Sequence, residues 1–462
     1  MFLQQLYTNC LAEAAYYIED NGEAIIIDPL RETAPYLEML KTRGAKLKYV
    51  LETHFHADFV SGHVDLAKAT GAVIVFGPGA NPNYQIHEAT DGEILTVGSL
   101  KMKVLHTPGH TPESACYLLF DENGLEYAVF SGDTLFVGDV GRPDLLDGDG
   151  KMTKEILAGM MYDSLQTKIK TLPDHVIVYP AHGAGSACGK NIGKETFSTI
   201  GEQKKNNYAL QDYTRDEFIA ILTKGLNPPP AYFFSDAKIN KQGYTGIDDL
   251  MHKSMMGLSP LQTKTETDAG AIILDTRNEN IFVKGFIKKS ISIGLNGQYA
   301  IWAGTLLPVQ TRLVLVTETG KEEESIRRLA RVGFDNIAGY VEGGFDAWKN
   351  AGMPIDEIKS VTASEFENLY NAGNINILDV RRVDEYDNGF VRGAINIPLA
   401  KMINESGYLS DNTTAVHCAG GYRSVIACSI LMREGHNDLV NIEGGWGKIK
   451  ETKIPVEKMQ IA

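Results

Sequence analysis

Three histidines and one aspartate lie close together near the start of the chain. They are His54, His56, Asp58 and His63, in an eleven-residue stretch that begins at Thr53. The stretch follows an apolar run that predicts a buried strand. Residues two apart in an extended segment point to the same side, so His54 and His56 can face one pocket. Imidazole and carboxylate groups at a strand end are typical metal ligands, and the predicted chemistry is that of a metal centre.

Further residues of the same kind follow at intervals. His110 stands in a turn that contains two prolines and a glycine, Asp133 follows the apolar run 127–130, and His182 follows the run 176–179. Strands that repeatedly end in Asp or His bring those side chains to one edge of a sheet, where functional sites usually lie. The sequence therefore predicts one site assembled from several strand ends.

This order of residues, H-x-H-x-D followed by H, D and H, resembles the metallo-β-lactamase fold over roughly residues 1–210. Members with two metals usually have a histidine directly after the first motif's aspartate, but here that position is Phe59, which cannot bind a metal. Two histidines and one carboxylate on a single metal leave coordination positions open, as in the facial triad of Fe(II) oxygenases. Together with Asp28-Pro29 and the segment 141–144, the pattern resembles the persulfide dioxygenases.

That resemblance implies one Fe(II) per chain and an activity that oxidises a thiol persulfide with O2 to sulfite. It implies that three residues bind the iron, namely His54, His110 and Asp133. It also implies that His56 and Asp58 orient these ligands without touching the metal. His63, just inside a predicted helix, is either structural or functional.

The same resemblance assigns Arg142 and His182 to the substrate, and the position of Cys188 makes it a third candidate. Arg142 lies in a glycine-flanked loop and would contact the carboxylate or the persulfide of the thiol, unless it forms an ordinary salt bridge. Cys188 follows His182 in a glycine-rich segment. It is either a thiol that traps or relays persulfide sulfur or a buried, inert cysteine.

The C-terminal half of the chain repeats itself. Residues 273–277 (Ile-Leu-Asp-Thr-Arg) recur 104 positions later as residues 377–381 (Ile-Leu-Asp-Val-Arg), and Glu-Gly-Gly-Phe at 342–345 returns as Glu-Gly-Gly-Trp at 443–446. Each copy is about a hundred residues long, which is the size of a domain. The repeat therefore predicts two α/β domains in tandem rather than a solenoid.

Only the second copy carries a nucleophile. Cys418 stands between a predicted strand and a predicted helix, in the six-residue loop Cys-Ala-Gly-Gly-Tyr-Arg. Backbone N–H groups and a helix N-terminus at such a loop stabilise an anion. The loop resembles that of the rhodaneses, which implies sulfur transfer through Cys418 with Arg423 and Asp379 as its catalytic partners. The first copy has no cysteine and three glutamates at 322–324, so it predicts a structural or docking module.

Composition limits the remaining possibilities. The 462-residue chain has a net charge of −15, which disfavours nucleic acid and anionic membranes as partners. We find no signal peptide and no apolar run of about 20 residues. Five cysteines in a chain of this length do not predict a disulfide framework. A cytoplasmic homo-oligomer is the expectation.

The predicted fold class is α/β, with a metallo-β-lactamase αββα sandwich at 1–245, an inactive rhodanese-like domain at 260–357 and an active one at 358–462. Residues from 227 to about 267 read as a connector. The predicted substrates are glutathione persulfide or a similar small persulfide, O2, and sulfite or thiosulfate. Three alternatives stay open: a zinc thioester hydrolase of the glyoxalase II type, a sulfur-responsive interaction module, and a phosphatase-type role for Cys418. The thiol carrier and the direction of transfer are not fixed by the sequence.

Overall fold

The structure is a computed structural model, and it describes residues 1–145, 152–373, 375–405 and 413–459. The chain forms two compact units: Met1–Asp249 with Ala330–Gly333, and Leu250–Leu329 with Phe334–Ala462. The three domain boundaries expected from the sequence stay predictions. Within the described ranges, no helix is long and apolar enough to cross a membrane.

The first unit contains two six-stranded sheets. The first sheet has the order β1-β2-β3-β4-β5-β6 and the second β12-β11-β10-β9-β8-β7. The strands are β1 (Phe2–Thr8), β2 (Glu13–Asp20), β3 (Glu23–Ile27), β4 (Lys46–Leu51), β5 (Val73–Phe76), β6 (His87–Glu88), β7 (Ile94–Val97), β8 (Leu100–His106), β9 (Ala115–Phe120), β10 (Glu126–Gly132), β11 (Ile177–Pro180) and β12 (Ser198–Thr199). The helices are α1 (Ala34–Arg43), α2 (His63–Thr70), α3 (Lys154–Ser164), α4 (Ile200–Asn206), α5 (Arg215–Thr223), α6 (Tyr232–Gln242) and α7 (Ile247–Ser254).

Three apolar clusters define the layers of this unit. The central cluster joins Ile25, Ile27 and Leu51 of the first sheet to Tyr117 and Phe130 of the second. A second cluster packs the outer face of the first sheet under α1 and α2, and a third packs the outer face of the second sheet under α3, α4 and α5. The predicted αββα sandwich is confirmed. Its alternating strands bury apolar side chains on both faces, as sheets covered on both sides must.

The second unit contains the same small fold twice. One five-stranded sheet has the order β13-β18-β17-β14-β16 and the other β20-β25-β24-β21-β23, and each has a two-stranded partner, β15-β19 and β22-β26. The strands are β13 (Gly257–Leu258), β14 (Ile272–Asp275), β15 (Phe286–Ile287), β16 (Ile291–Ser292), β17 (Leu313–Val316), β18 (Ile337–Val341), β19 (Ile355–Asp356), β20 (Lys359–Val361), β21 (Asn376–Asp379), β22 (Phe390–Val391), β23 (Ile395–Asn396), β24 (Thr414–His417), β25 (Leu439–Ile442) and β26 (Val456–Glu457). The repeat seen in the sequence is therefore a repeat of topology.

Helices cover these parallel sheets, as crossover connections require. They are α8 (Pro260–Asp268), α9 (Glu279–Phe282), α10 (Tyr299–Leu306), α11 (Glu322–Ala330), α12 (Gly344–Asn350), α13 (Ala363–Ala372), α14 (Val383–Asp387), α15 (Met402–Glu405), α16 (Tyr422–Glu434) and α17 (Gly445–Ile449). Helix α16 ends at Gly435, which adopts the left-handed conformation. Glycine in this conformation is a common end of a helix.

One expectation about the fold is wrong. The polar stretch that reads as a connector contains α6, α7 and α8. Helix α6 is not merely a spacer, because Phe233, Asp236 and Asn240 on it are buried. The polar sequence of α6 suggested an exposed segment. A helix can instead bury polar side chains such as asparagine, which pair with backbone groups, and then it shows no strong apolar stripe.

Candidate metal centre and sulfur-transfer loop

The ends of four strands bring the predicted ligands together. His54 follows β4, His110 lies in the turn after β8, Asp133 follows β10 directly, and His182 lies two residues after β11. Strands β10 and β11 are parallel neighbours, so their ends lie side by side. Gly132 at the end of β10 has a φ of +53°, and a Cβ there would lie 2.6 Å from the side chain of Thr53. Only glycine allows the end of β10 to approach the segment after β4 so closely.

Three of the predicted ligands point at a common centre. The Nε2 atom of His110 lies 3.3 Å from Oδ2 of Asp133, and Nε2 of His54 lies 4.0 Å from the same oxygen. All three side chains are buried. Four atoms face the centre: Nε2 of His54, Nε2 of His110 and the two carboxylate oxygens of Asp133. None of these atoms has a hydrogen-bond partner among the described residues. Such groups are costly to bury alone, and the set fits a bound metal ion.

Hydrogen bonds on the far side of each ring fix its orientation. Nδ1–H of His110 donates to the carbonyl of Arg142 at 2.8 Å. The hydroxyl of Thr53 donates to Asp28 at 2.8 Å and therefore accepts from Nδ1 of His54 at 3.0 Å. In both rings Nε2 then carries the free lone pair. Burial, with further effects from neighbouring histidines, holds the pKa of His54 well below its ordinary value, so this ring is neutral as a ligand must be.

His56 has a different environment. Its Nε2 lies 3.1 Å from Oδ1 of Asp28, and its ring stacks on Phe59 with centroids 4.3 Å apart. Burial alone lowers the pKa of His56, but the carboxylates of Asp28, Glu52 and Asp58 together raise it to about 10. Phe59 is fully buried. The position that would supply a histidine to a second metal is thus an apolar wall packed against His56.

His182 and Cys188 complete the other side of the centre. Nε2 of His182 lies 3.5 Å from Oδ1 of Asp133 and 3.4 Å from Oδ2 of Asp58. The sulfur of Cys188 lies within 4.8 Å of donor atoms of Asp133 and His182. Burial, followed by the carboxylates of Asp58 and Asp133, raises the pKa of the Cys188 thiol well above its ordinary value. Cys188 therefore faces the centre as a buried, neutral thiol.

The guanidinium of Arg142 does not face open space. It donates to both carboxylate oxygens of Asp144, at 2.6 and 2.7 Å, and to the carbonyls of Ala187 and Asn227. Its own backbone N–H donates to the carbonyl of Cys188 at 2.9 Å. The structure therefore shows the ion pair that the sequence left open, with Asp144 as its partner, and the contact with a substrate anion stays a prediction. Arg142 holds the Cys188 segment and His110 in place.

One residue that sequence reasoning missed organises the first motif. Asn240 on α6 donates to the carbonyls of His56 and Phe59, at 2.7 and 2.8 Å, and accepts from the N–H of Ser61 at 2.9 Å. These groups are buried and would otherwise be unpaired. The sequence gave no signal for this contact, because Asn240 is about 180 residues from the motif and lies in a segment that reads as a connector.

The second repeat builds an anion-binding loop around Cys418. The cysteine directly follows β24, and the N–H of Gly421 donates to its sulfur at 3.1 Å. The hydroxyl of Ser424 lies 3.8 Å from the same sulfur. Helix α16 starts at Tyr422, so its positive end faces the thiol. This arrangement stabilises a thiolate or a terminal persulfide anion.

Arg423, the last residue of the loop, pairs with a residue that the sequence did not indicate. Its Nη1 and Nη2 donate to the two carboxylate oxygens of Glu385, at 2.6 and 2.8 Å. This bidentate pair lowers the pKa of Glu385 to about 2, with the hydrogen bond from Arg423 as the main cause. Glu385 therefore fixes the side chain of Arg423 at the rim of the loop.

Asp379 has a structural rather than a chemical environment. It is buried and binds the guanidinium of Arg381, which donates in turn to the carbonyl of Gly389 at 2.7 Å and stacks on Trp446. The first repeat has the same arrangement in Asp275, Arg277, Gly285 and Phe345. Because the copy without a cysteine keeps the pair, the pair supports the fold of both repeats, and the catalytic part of Asp379 stays a prediction.

The strand register identifies the residue that replaces the cysteine in the first repeat. Asp379 pairs with His417, and its counterpart Asp275 pairs with Val316. Thr317 therefore stands where the second repeat has Cys418. A threonine hydroxyl cannot carry a persulfide, so this position of the first repeat offers no sulfur carrier.

Comparison with known families agrees with this architecture. Residues 8–182 match the metallo-β-lactamase superfamily, and residues 259–351 and 362–452 each match the rhodanese-like domain. A solved metallo-β-lactamase from Staphylococcus aureus subsp. aureus COL is 32% identical, with a TM-score of 0.66. The match covers 74% of this chain and 99% of that one.

Two curated relatives match the first unit. The chain is 34% identical over 167 residues to a probable hydroxyacylglutathione hydrolase of Schizosaccharomyces pombe, which covers 36% of this chain and 60% of the relative. It is 30% identical over 236 residues to the mitochondrial persulfide dioxygenase ETHE1 of Homo sapiens, which covers 50% of this chain and 84% of the relative. The chain therefore belongs to the metallo-β-lactamase superfamily, has persulfide dioxygenases among its homologues and carries two rhodanese-like domains.

Proposed function

We propose that the chain is a bifunctional enzyme of sulfur metabolism. Its first site oxidises a low-molecular-weight thiol persulfide with O2, and its second site moves sulfur between persulfide or sulfite and thiosulfate. The proposed cofactor is one Fe(II) per chain, held by His54, His110 and Asp133. Glutathione persulfide or a similar small persulfide is the proposed substrate, and the protein is proposed to be a cytoplasmic homo-oligomer without nucleic-acid or membrane partners.

The oxygenase assignment rests on one observation. Phe59 occupies the position where a second metal would need a histidine, and it stands beside three ligand residues whose facing atoms have no hydrogen-bond partner among the described residues. A metal held by three protein ligands keeps open positions for small molecules. When bound, Fe(II) supplies the redox chemistry that O2 requires, which Zn²⁺ does not. The resemblance of the first unit to a persulfide dioxygenase supports the same assignment.

The protein side chains would position the persulfide and limit its contact with water. Phe59 and the burial of the trio keep bulk water from the reacting sulfur. Cys188, within reach of Asp133 and His182, faces the space where a terminal sulfur would lie. The overall change is balanced as RSSH + O2 + H2O giving RSH, sulfite and two protons, so each sulfite formed consumes one O2.

At the second site the Cys418 thiolate would attack the outer sulfur of RSSH. The S–S bond of the donor breaks, RSH leaves, and a cysteine persulfide forms in the loop, where the N–H of Gly421 faces the sulfur. Sulfite then attacks the outer sulfur and leaves as thiosulfate, which regenerates the thiolate. The reverse direction uses the same steps. Because one site makes the sulfite that the other consumes, fusion raises its local concentration.

The proposal is tested by purifying the protein without oxygen and counting its metals by elemental analysis. We expect one iron per chain, and loss of that iron in His54→Ala. His87→Ala is the matched control, because the side chain of His87 is exposed and, among the described residues, forms an ion pair with Glu93. Two zinc ions per chain would contradict the proposal.

A zinc thioester hydrolase is the second candidate, since the chain is also similar to a probable hydroxyacylglutathione hydrolase. The cluster His56, Asp58 and His182 offers three further donor atoms within 4.8 Å of one another. Phe59 disfavours this candidate. Thioester hydrolysis by the zinc-loaded protein, without O2 uptake by the iron-loaded protein, would establish it instead.

A further inference from the structure

We propose that the first repeat holds the sulfur-transfer loop of the second repeat in its active shape. The contact is made by Tyr422 on the second repeat and by residues 294–297 on the first, which we call the glycine cradle. This inference rests on the sulfurtransferase role proposed for Cys418. Tyr422 is the fifth residue of the six-residue loop and the first residue of α16.

Tyr422 fits the glycine cradle closely. Its hydroxyl donates to the carbonyl of Gly294 at 2.7 Å. Its ring lies against Gly297, where an added Cβ would be 2.3 Å from Cζ and 2.6 and 2.7 Å from the two Cε atoms. Neither glycine adopts the left-handed backbone that favours glycine. Gly297 is therefore needed for the space it leaves to Tyr422 and not for its own conformation.

Hydrogen bonds within the first repeat hold the glycine cradle in place. Arg328 on α11 donates to the carbonyls of Leu295 and Gly297, at 2.7 and 3.3 Å. Asn296 donates to Glu279 at 2.8 Å. A segment held by hydrogen bonds at three of its four residues can act as a fixed stop for an aromatic ring. The first repeat lacks the cysteine, but its side chains hold the cradle that contacts Tyr422.

The same repeat also holds the rest of α16. The hydroxyl of Ser429 accepts from the N–H of Ser292 at 3.0 Å, and Arg433 donates to the carbonyl of Lys289 at 2.8 Å. Residues 422, 429 and 433 lie on one face of a helix, because they are separated by about two turns and one turn. The helix is therefore anchored to the first repeat along its length.

The anchored end of the helix is the end that serves the nucleophile. Gly421, directly before Tyr422, places its N–H 3.1 Å from the sulfur of Cys418, and Arg423 follows directly after. A donor that stabilises a developing anion must stay within a few tenths of an ångström of its place. Displacement of Tyr422 therefore moves both groups that flank the persulfide. Tyr422 is a positioning residue.

The test uses the full chain and measures sulfur transfer from thiosulfate to a small thiol. Gly297→Ala pushes the Tyr422 ring out of the cradle, and a displacement of about 1 Å predicts a loss of about 100-fold in kcat with little change in KM. Tyr422→Phe removes only the hydrogen bond and should lose less. Ser429→Ala removes a contact of the same helix with the first repeat far from the loop, and it should lose much less activity than Gly297→Ala.

The decisive comparison places Gly297→Ala in a Tyr422→Ala background. We expect its effect to disappear there, because no ring remains to be displaced. Wild-type kcat in Gly297→Ala, or the same loss with and without the ring, would overturn the inference. If the wild type transfers no sulfur, the proposed function fails. The alkylation rate of Cys418 by iodoacetamide, read on its own peptide, still reports whether Gly297→Ala changes the loop.

Discussion

Asn240 is predicted to be the residue that holds the first metal-binding motif in place. Its side chain makes three hydrogen bonds to the backbone of residues 56, 59 and 61 and none of the partners can reach solvent. Asn240→Leu keeps the approximate volume but leaves two carbonyls and one N–H unpaired. At about 1 kcal/mol for each bond, the cost is about 3 kcal/mol, and burial of the unpaired groups adds to it.

Calorimetry and metal retention measure two consequences of this change. A loss of about 3 kcal/mol in a unit of this size lowers the melting temperature by roughly 6 to 12 °C. Loss of an outer hydrogen-bonding partner typically weakens metal binding by about 10- to 100-fold, which competition with a chelator detects. We expect both effects in Asn240→Leu.

Leu222→Ala is the control for general destabilisation. Leu222 lies on α5 in the cluster outside the second sheet, and its truncation costs about 2 to 5 kcal/mol without touching the motif. The control should lower the melting temperature and keep wild-type metal affinity. If Asn240→Leu matches Leu222→Ala in both measurements, the role assigned to Asn240 is wrong, because its bonds would then stabilise the fold without holding the motif.

Two other changes separate the two chemistries, and a third tests the pH dependence of stability. Asp133→Ala should lose iron and persulfide-dependent O2 uptake and keep sulfur transfer, and O2 uptake that survives would contradict the ligand assignment. Cys418→Ser should lose sulfur transfer by orders of magnitude and keep O2 uptake, since a hydroxyl stays protonated near neutrality, with Glu323→Ala as an unaffected control. The pKa of Glu385 is lowered from 4.5 to about 2, so the stability from its pair with Arg423 is present above pH 4.5 and lost as the pH falls toward 2. In Glu385→Gln, the free energy of unfolding of the second unit should no longer fall between pH 4.5 and 2 on account of this pair. A variant with the same pH profile as the wild type would refute the role assigned to Glu385.

The parts that sequence reasoning predicts are those encoded locally. Asp133 directly follows an apolar strand, and His182 and His54 stand two and three residues after one. The ends of neighbouring parallel strands meet at one edge of a sheet, whatever the length of the chain between them. The duplication is equally visible, because residues 273–277 and 377–381 keep the same buried Asp–Arg pair. Local pattern was therefore enough for the fold class and for the prediction that His54, His110 and Asp133 lie together.

The parts it misses depend on contacts between distant segments. Glu385 meets Arg423 across 38 residues, and Asn240 meets the first motif across about 180. Which polar side chains pair is decided by tertiary packing, and spacing along the chain does not encode it.

The most direct test of the account measures O2, sulfite and thioester hydrolysis together on iron-loaded protein. Cys418→Ser is the form to use, because sulfite is then not consumed by the second site. With glutathione persulfide as substrate, we predict one O2 consumed for each sulfite released, and no hydrolysis of a glutathione thioester. Thioester hydrolysis without O2 uptake, in protein that contains iron and is folded, would contradict the central claim.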